Sequence, residues 1–320
     1  VKRIEVLAPD GLPEVGPGTD LAAMVAAAVD VRDGDVVVVT SKVVSKAEGR
    51  AVPGDRESAL EGETVRVVAR RGTFRIVRTR HGLVLAAAGI DASHVTPGTV
   101  LLLPEDPDAS ARALRADLLR LTGATVGVVV TDTAGRPWRD GQTDIAIGAA
   151  GVVVAEDHAG SVDSHGNTLA VTRPAVADEV AGAAELAQGK LAGRPVAVLR
   201  GRPDLVLPAG DDGPGAAALV RPEQEDLFAW GAREAVVRAL AGDPEDRSAF
   251  GTPVPAAELV DALGHVLGRP AAEAGSDAVI VAVDSAGEEA AARAVAFAHG
   301  WAAGSAAGTP GPLRLHPGAP

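Results

Sequence analysis

The sequence predicts an α+β fold of mixed, largely antiparallel sheets with packed helices, and two observations carry that expectation. Short β-type runs recur between helical stretches over the first 200 residues. Several of those runs follow one another with no room for a helix between them, as residues 65–69 and 74–77 do, so hairpins are expected and a doubly wound parallel sheet is not.

In chain order, residues 3–7 read as a first strand, followed by an alanine-rich helix over 20–29 with Thr19 as its cap. Strands are expected at 35–40, 65–69, 74–77, 83–87 and 100–103. Asp108 can then cap a helix whose Leu114, Leu118 and Leu121 share one face before Gly123 ends it. Strands at 126–131 and 152–155 follow, then a helix over 174–191 with proline in its first turn, a strand at 195–199, and a helix over 223–241 closed by Gly242. The composition shifts near residue 243, and residues 242–247 read as a linker. The expected domains are therefore 1–242 and a short extension, 243–320, with a helix, strand and helix at about 255–267, 277–284 and 288–299. The last twenty residues, rich in Gly, Pro and Ala, read as disordered.

The 320 residues are 47% hydrophobic, enough for a substantial core. A net charge of −13, with no evident basic patch, argues against nucleic-acid and anionic-membrane partners. No run reaches the roughly 18 apolar residues of a spanning helix, so the reading is cytoplasmic. With no cysteine, any metal must be a hard cation held by oxygen. Phe74 and Trp138 are the aromatic residues to watch for a ligand role, against ordinary packing.

Two of only four lysines, Lys42 and Lys46, sit directly after the apolar strand ending at Thr40, with Ser41 and Ser45 among them. Compact ammonium groups and hydroxyls at a strand end suit phosphate oxygens, although a solvated turn would look alike. Asp91 and Asp132 each follow an apolar run, where a carboxylate can hold a divalent cation or merely cap a turn. After Asp132 comes a polar loop with Arg136 and Arg139, which could anchor an anionic substrate or pair with Asp140 and Asp144 on the surface. Standard phosphate loops, dinucleotide fingerprints, nucleophile elbows and zinc-protease motifs are missing from the sequence.

Taken together, Gly11-Leu12-Pro13-Glu14, Asp33-Gly34-Asp35, the stretch 40–50, Ala88-Gly89-Ile90-Asp91-Ala92-Ser93, Leu103-Pro104 with Asp106-Pro107-Asp108, Thr131-Asp132-Thr133 with Gly135-Arg136, and Val176-Ala177-Asp178-Glu179 resemble the coenzyme F420-0:L-glutamate ligase family over about residues 3–240. The resemblance implies a GTP-dependent enzyme that adds L-glutamate, in successive γ-linkages, to the precursor F420-0. It also implies an intertwined homodimer that uses Mg²⁺ or Mn²⁺ with K⁺ assisting. Leu12, Pro13, Glu14, Val15, Ser41 and Lys46 would line the nucleotide, joined by His94 where the family usually has Asn. Asp91, Asp132 and Thr133 would hold the cation, with Lys46 and Asp132 carrying the catalysis. Longer relatives end in a flavin-binding domain, for which the 75 or so residues after the linker are too few, so no FMN is expected. The alternatives are a related acyl-phosphate ligase with another acceptor or nucleotide, a non-catalytic nucleotide-binding relative, and a metal-dependent phosphohydrolase.

Overall fold

The computed structural model describes residues 2–93, 95–274, 277–304 and 312–318, and the chain divides into two compact units, Val1–Val220 and Arg221–Pro320. In order, the first unit contains β1 (Glu5–Leu7), α1 (Leu21–Ala28), β2 (Val36–Thr40), α2 (Ser41–Ala47), β3 (Ala51–Pro53), α3 (Arg56–Glu63), β4 (Thr64–Arg71), β5 (Phe74–Thr79) and β6 (Val84–Ala86). It continues with β7 (Thr99–Leu101), α4 (Pro107–Thr122), β8 (Gly127–Arg136), β9 (Arg139–Ala150), α5 (Val176–Gln188) and β10 (Val196–Arg200).

Its central sheet has the order β1-β10-β2-β8-β9, with β2 and β8 parallel and every other neighbour antiparallel. Val36 to Val39 are fully buried and alternate between two cores. Val37 and Val39 pack on the side of Val25 from α1 and Leu118 from α4, while Val36 and Val38 pack on the side of Val180 and Ala184 from α5. A strand covered on both faces needs an unbroken apolar run, which is why this segment is four valines rather than an alternating pattern. Each such side chain contributes about 1.5–3 kcal/mol on burial. Smaller antiparallel sheets, β3-β7 and β4-β5-β6, fill the long crossover between β2 and β8 and share a core of Leu60, Val77, Ile90 and Val100.

The second unit holds α6 (Ala232–Ala241), α7 (Ala256–Leu267), β11 (Ala272–Glu273), β12 (Val279–Val281), α8 (Ala286–Ala298), β13 (Trp301–Ala303) and β14 (Leu313–Pro317). Its antiparallel sheet, β11-β12-β14-β13, has its own core with Leu259, Leu263, Ala292, Trp301 and Leu315. No helix among the described residues is long and apolar enough to cross a membrane.

Several elements differ from the sequence expectations. Asp20, not Thr19, caps α1, accepting from the Ala23 amide at 2.9 Å, while Thr19 Oγ1 accepts from Gly16. Asp106 caps α4 with Pro107 behind it, and Leu121 on that helix is exposed. Asp108 instead accepts from the backbone amides of Ala149, Ala216 and Ala217, joining three segments. Residues 152–155 make only an isolated bridge from Val152 to Val206, and residues 223–241 break into a single turn at Glu223–Glu225 before α6. β9, whose polar first half reads as loop, is the longest strand. Within the supposedly disordered tail, Leu313 and Leu315 are buried and Arg314 and His316 exposed, the period-two alternation of a strand with one covered face. Residues 305–311 and 319–320 lie outside the described residues.

Asp178, in the first turn of α5, accepts from the Ala146 amide of β9 at 2.9 Å, and burial raises its pKa despite that bond. The folded state therefore holds this proton more tightly than the unfolded chain. That contribution is complete below the unfolded pKa and is lost as pH rises through the raised one. Asp178→Asn keeps an oxygen for Ala146 and removes the ionised form, so its stability relative to the parent should grow between about pH 4 and neutrality in denaturant titrations.

Candidate functional site

Parallel pairing of β2 and β8 sets Thr40 beside Thr131, so the next residue of each segment meets at one sheet edge. Ser41, the first residue of α2, donates through Oγ to Asp132 Oδ1 at 3.2 Å. Opposite them, β9 pairs Thr133 with Asp144, and Thr133 Oγ1 donates to Asp144 Oδ1 at 2.7 Å. Asp144 is buried, not a surface partner for Arg136 or Arg139. Burial pushes the Asp132 pKa up to about 7; Ser41 and the Thr133 amide pull it down, and the neighbouring Asp144 charge pushes it up. A buried carboxylate held beside another favours a cation between protein and ligand.

Lys42 and Lys46 lie one turn apart on α2, so they share a face. Lys42 Nζ reaches Asp91 Oδ2 at 2.6 Å and Ser93 Oγ at 2.9 Å, whereas Lys46 Nζ reaches Glu14 Oε1 at 2.6 Å. One short helix thus ties the Asp91 loop to the 12–15 loop. Burial raises the Asp91 pKa, but hydrogen bonds from Lys42 and Ser93 outweigh it and hold this carboxyl below its ordinary value.

The backbone leading to Asp91 is strained. Ala87, Ala88 and Gly89 have φ of 48°, 55° and 71°, a left-handed run that only the glycine adopts without cost. Burial of Ala88 and Ile90 and the paired backbone bonds between Asp91 and Leu101 hold it in place.

Two cavities meet here. One of about 900 Å³ is lined by Lys42, Arg75, Asp91, Asp132, Thr133 and Lys190 among others. Another, of about 320 Å³, is lined by Leu12, Pro13, Glu14, Val15, Lys42, Lys46, Gln188 and Lys190. Lys42 and Lys190 border both. The expected nucleotide loop and the expected cation ligands therefore occupy adjoining pockets. Among the described residues no cluster of three or more His, Asp or Glu side chains forms a closed metal cage. Asp91, Asp132 and Thr133 all line the larger cavity, and oxygen donors of these kinds could hold a hard cation.

Sequence reasoning missed three participants. Lys190 Nζ contacts Thr133 Oγ1 and lies 4.0 Å from Asp144 and 3.9 Å from Glu185. With it, three of the four lysines sit at this site, a scarcity that was legible. Gln188, 2% exposed, has no hydrogen-bond partner for either amide atom among the described residues. Glu185 has a pKa raised by burial and by Asp144. Arg136 and Arg139 lie exposed at the β8–β9 turn with Trp138; their neighbours Gly135 and Gln142 line the larger cavity, and they do not. His94 lies outside the described residues.

A family model described as F420-0:gamma-glutamyl ligase matches residues 11–201. The chain belongs to the F420-0:gamma-glutamyl ligase family. It is 39% identical over 238 residues to a coenzyme F420:L-glutamate ligase of Methanopyrus kandleri, covering 67% of this chain and 93% of that protein. It is similarly 40% identical over 246 residues to the ligase of that name from Archaeoglobus fulgidus, covering 71% and 96%, and 40% identical over 252 residues to that of Natronomonas pharaonis, covering 70% and 94%. The span matched by the F420-0:gamma-glutamyl ligase family contains every site residue named above and stops before the second unit.

Ala87→Gly should relieve the left-handed strain beside Asp91 and raise stability by about 1 kcal/mol, read as a higher denaturation midpoint at unchanged slope.

Proposed function

We propose that this chain is a coenzyme F420-0:L-glutamate ligase that uses GTP, releases GDP and phosphate, and acts in the cytoplasm. The observation that carries the reading is the junction of the two cavities at Lys42 and Lys190, beside Asp132 and Thr133. The smaller cavity suits the nucleotide, with the 12–15 loop and Lys46 in its lining; the larger suits the acceptor.

A carboxylate does not react with an amine at neutral pH until it is activated. Transfer of the GTP γ-phosphoryl group to the acceptor carboxylate gives an acyl phosphate and GDP. Attack by the glutamate amine then forms the amide and expels phosphate, and each further cycle extends the tail through a γ-linkage. The protein supplies position and charge. Lys46 and Lys42, held on one face of α2, neutralise phosphate oxygens as the group moves, and Ser41 Oγ adds a donor. Lys190 can serve the same charge from the opposite wall, next to Thr133. A Mg²⁺ or Mn²⁺ ion held by Asp91, Asp132 and Thr133, with K⁺ assisting, would supply further neutralisation. Arg136 and Arg139, at the hairpin tip beyond Gly135, remain the proposed grip on an anionic part of the acceptor, and His94 the proposed nucleotide contact.

An intertwined homodimer belongs to the same proposal. Exposed Val65, Val67 and Val84 on the three-stranded sheet support it, being apolar surface that one copy leaves in water. Light scattering should return twice the chain mass of 32.1 kDa.

Mass spectrometry of F420-0 incubated with the protein, glutamate, Mn²⁺ and either GTP or ATP tests the whole reading. A ladder spaced by glutamyl units with GTP is the expected result. Asp132→Asn should lower the rate by about 100-fold or more while circular dichroism stays unchanged. Full activity of that variant would refute the cation assignment, and phosphate release without glutamate would point to a phosphohydrolase.

A further inference from the structure

Residues 64–90 carry six arginines, Arg66, Arg70, Arg71, Arg75, Arg78 and Arg80, and no Asp or Glu, in a chain of net charge −13. This is the basic patch that the sequence reading overlooked. Five of the six lie on the β4–β5 hairpin, and strand register sets them against one another, Arg66 opposite Arg78 and Arg70 opposite Arg75. Like charges directly opposed across antiparallel strands destabilise the pairing. The hairpin therefore concentrates like charge along its register, and Arg66, Arg75 and Arg78 each have a partner within the protein.

Part of that charge is met within the protein, Arg75 by Glu57 and Arg80 by Glu63 and Glu105. Arg70 and Arg71, just before the turn at Gly72, are exposed and make no ion pair among the described residues. Directly after them, Thr73, Phe74 and Arg75 line the 900 Å³ cavity that also contains Asp132 and Thr133. The exposed cations thus stand at the margin of the proposed acceptor cleft.

The geometry points to the β4–β5 hairpin as a binding track for a polycarboxylate chain, the oligo-γ-glutamyl tail of the acceptor, with Arg70 and Arg71 gripping its free carboxylates. This rests on the ligase reading above. Every γ-linked glutamate leaves one more carboxylate along the tail, so the acceptor becomes more anionic as it grows. Guanidinium forks take carboxylates bidentately, and a row of them can hold successive ones while the terminal carboxyl enters the cleft. The anion would also offset the charge of Arg70 and Arg71 at the hairpin tip, so tail binding and hairpin stability are coupled.

Fluorescence anisotropy with fluorescein-labelled tetra-γ-glutamate on the full chain tests this without turnover. The parent should bind with an affinity that falls steeply with salt, and Arg70→Gln with Arg71→Gln should weaken binding about tenfold or more with a flatter salt dependence and an unchanged oligomeric mass. In the ligase assay the double variant should still make the first addition with an unchanged KM for GTP but give a shorter ladder. Absence of binding by the parent, equal binding by the variant, a changed mass in the variant, or equally tight binding of a ten-nucleotide oligothymidylate would each overturn the proposal. If tetra-γ-glutamate binds as expected while the parent never adds glutamate, the ligase reading fails and the track stands.

Discussion

One constraint organises this molecule: two strands of an otherwise antiparallel sheet, β2 and β8, run the same way. Parallel neighbours cannot be joined by a tight turn, so the chain between them must make a long crossover. Here it spans residues 41–126 and holds α2, the two small sheets and α4. Because both strands end at the same edge, Ser41 and Asp132 meet, as antiparallel strands in the same register would not allow. The crossover then brings Asp91 and the arginine hairpin around that edge. Ligands settle at the carboxyl ends of parallel strands for this geometric reason, and even a single parallel pair suffices to create the place.

The polar groups packed into the first unit differ in how fully they are hydrogen-bonded. Arg115, 5% exposed, donates to the carbonyls of Val126, Leu207, Pro208 and Asp211 and to the Asp212 carboxylate. Gly151 lies beneath it, where a Cβ would come within 2.0 Å of Nε. Asp108 is likewise saturated by three backbone amides. Such groups are fully paid in hydrogen bonds and fix loops to the sheet. Asp132 and Asp144 stand close together with charges that repel, and Gln188 is buried with its amide unpartnered among the described residues. Two close carboxylates, with Asp132 lining the larger cavity, and an unpartnered amide lining the smaller are consistent with a place built for a ligand.

What was readable from the sequence follows the same division. The valine run of β2 declares a strand covered on both faces, and scarce lysines beside hydroxyls mark the segment that lines both cavities, since both are properties of local composition. β9 was unreadable because its first half is polar, and Arg139 to Gln142 lie exposed beyond the core, paired across the hairpin. That misreading carried another with it, since Asp144 in a loop would be a surface residue and Asp144 on β9 is buried beside Thr133. Lys190 and Gln188 sit at the end of α5, and only the fold brings that end to the sheet edge. The exchange of roles between Asp106 and Asp108 has a smaller cause: two acidic residues flank Pro107, and either could cap the helix until tertiary partners for Asp108 are known.

The acidity of the chain raises an electrostatic question that the site answers locally. The proposed ligands, a triphosphate, glutamate and a glutamylated acceptor, are all anions, and a net charge of −13 would repel them at long range. At physiological ionic strength the Debye length is about 8 Å, so a ligand at the cleft responds to charges within the cavity and its margin far more than to the total. Lys42, Arg56, Arg75 and Lys190 line the larger cavity against Asp55, Glu57, Asp91 and Asp132, which leaves its interior nearly balanced. The surplus of positive charge lies instead just outside, on Arg70 and Arg71. An interior near neutrality suits a reaction that must release anionic products as readily as it admits anionic substrates. In the proposed reaction, a cationic margin would retain a growing tail through repeated cycles without trapping the phosphate and nucleoside diphosphate formed within.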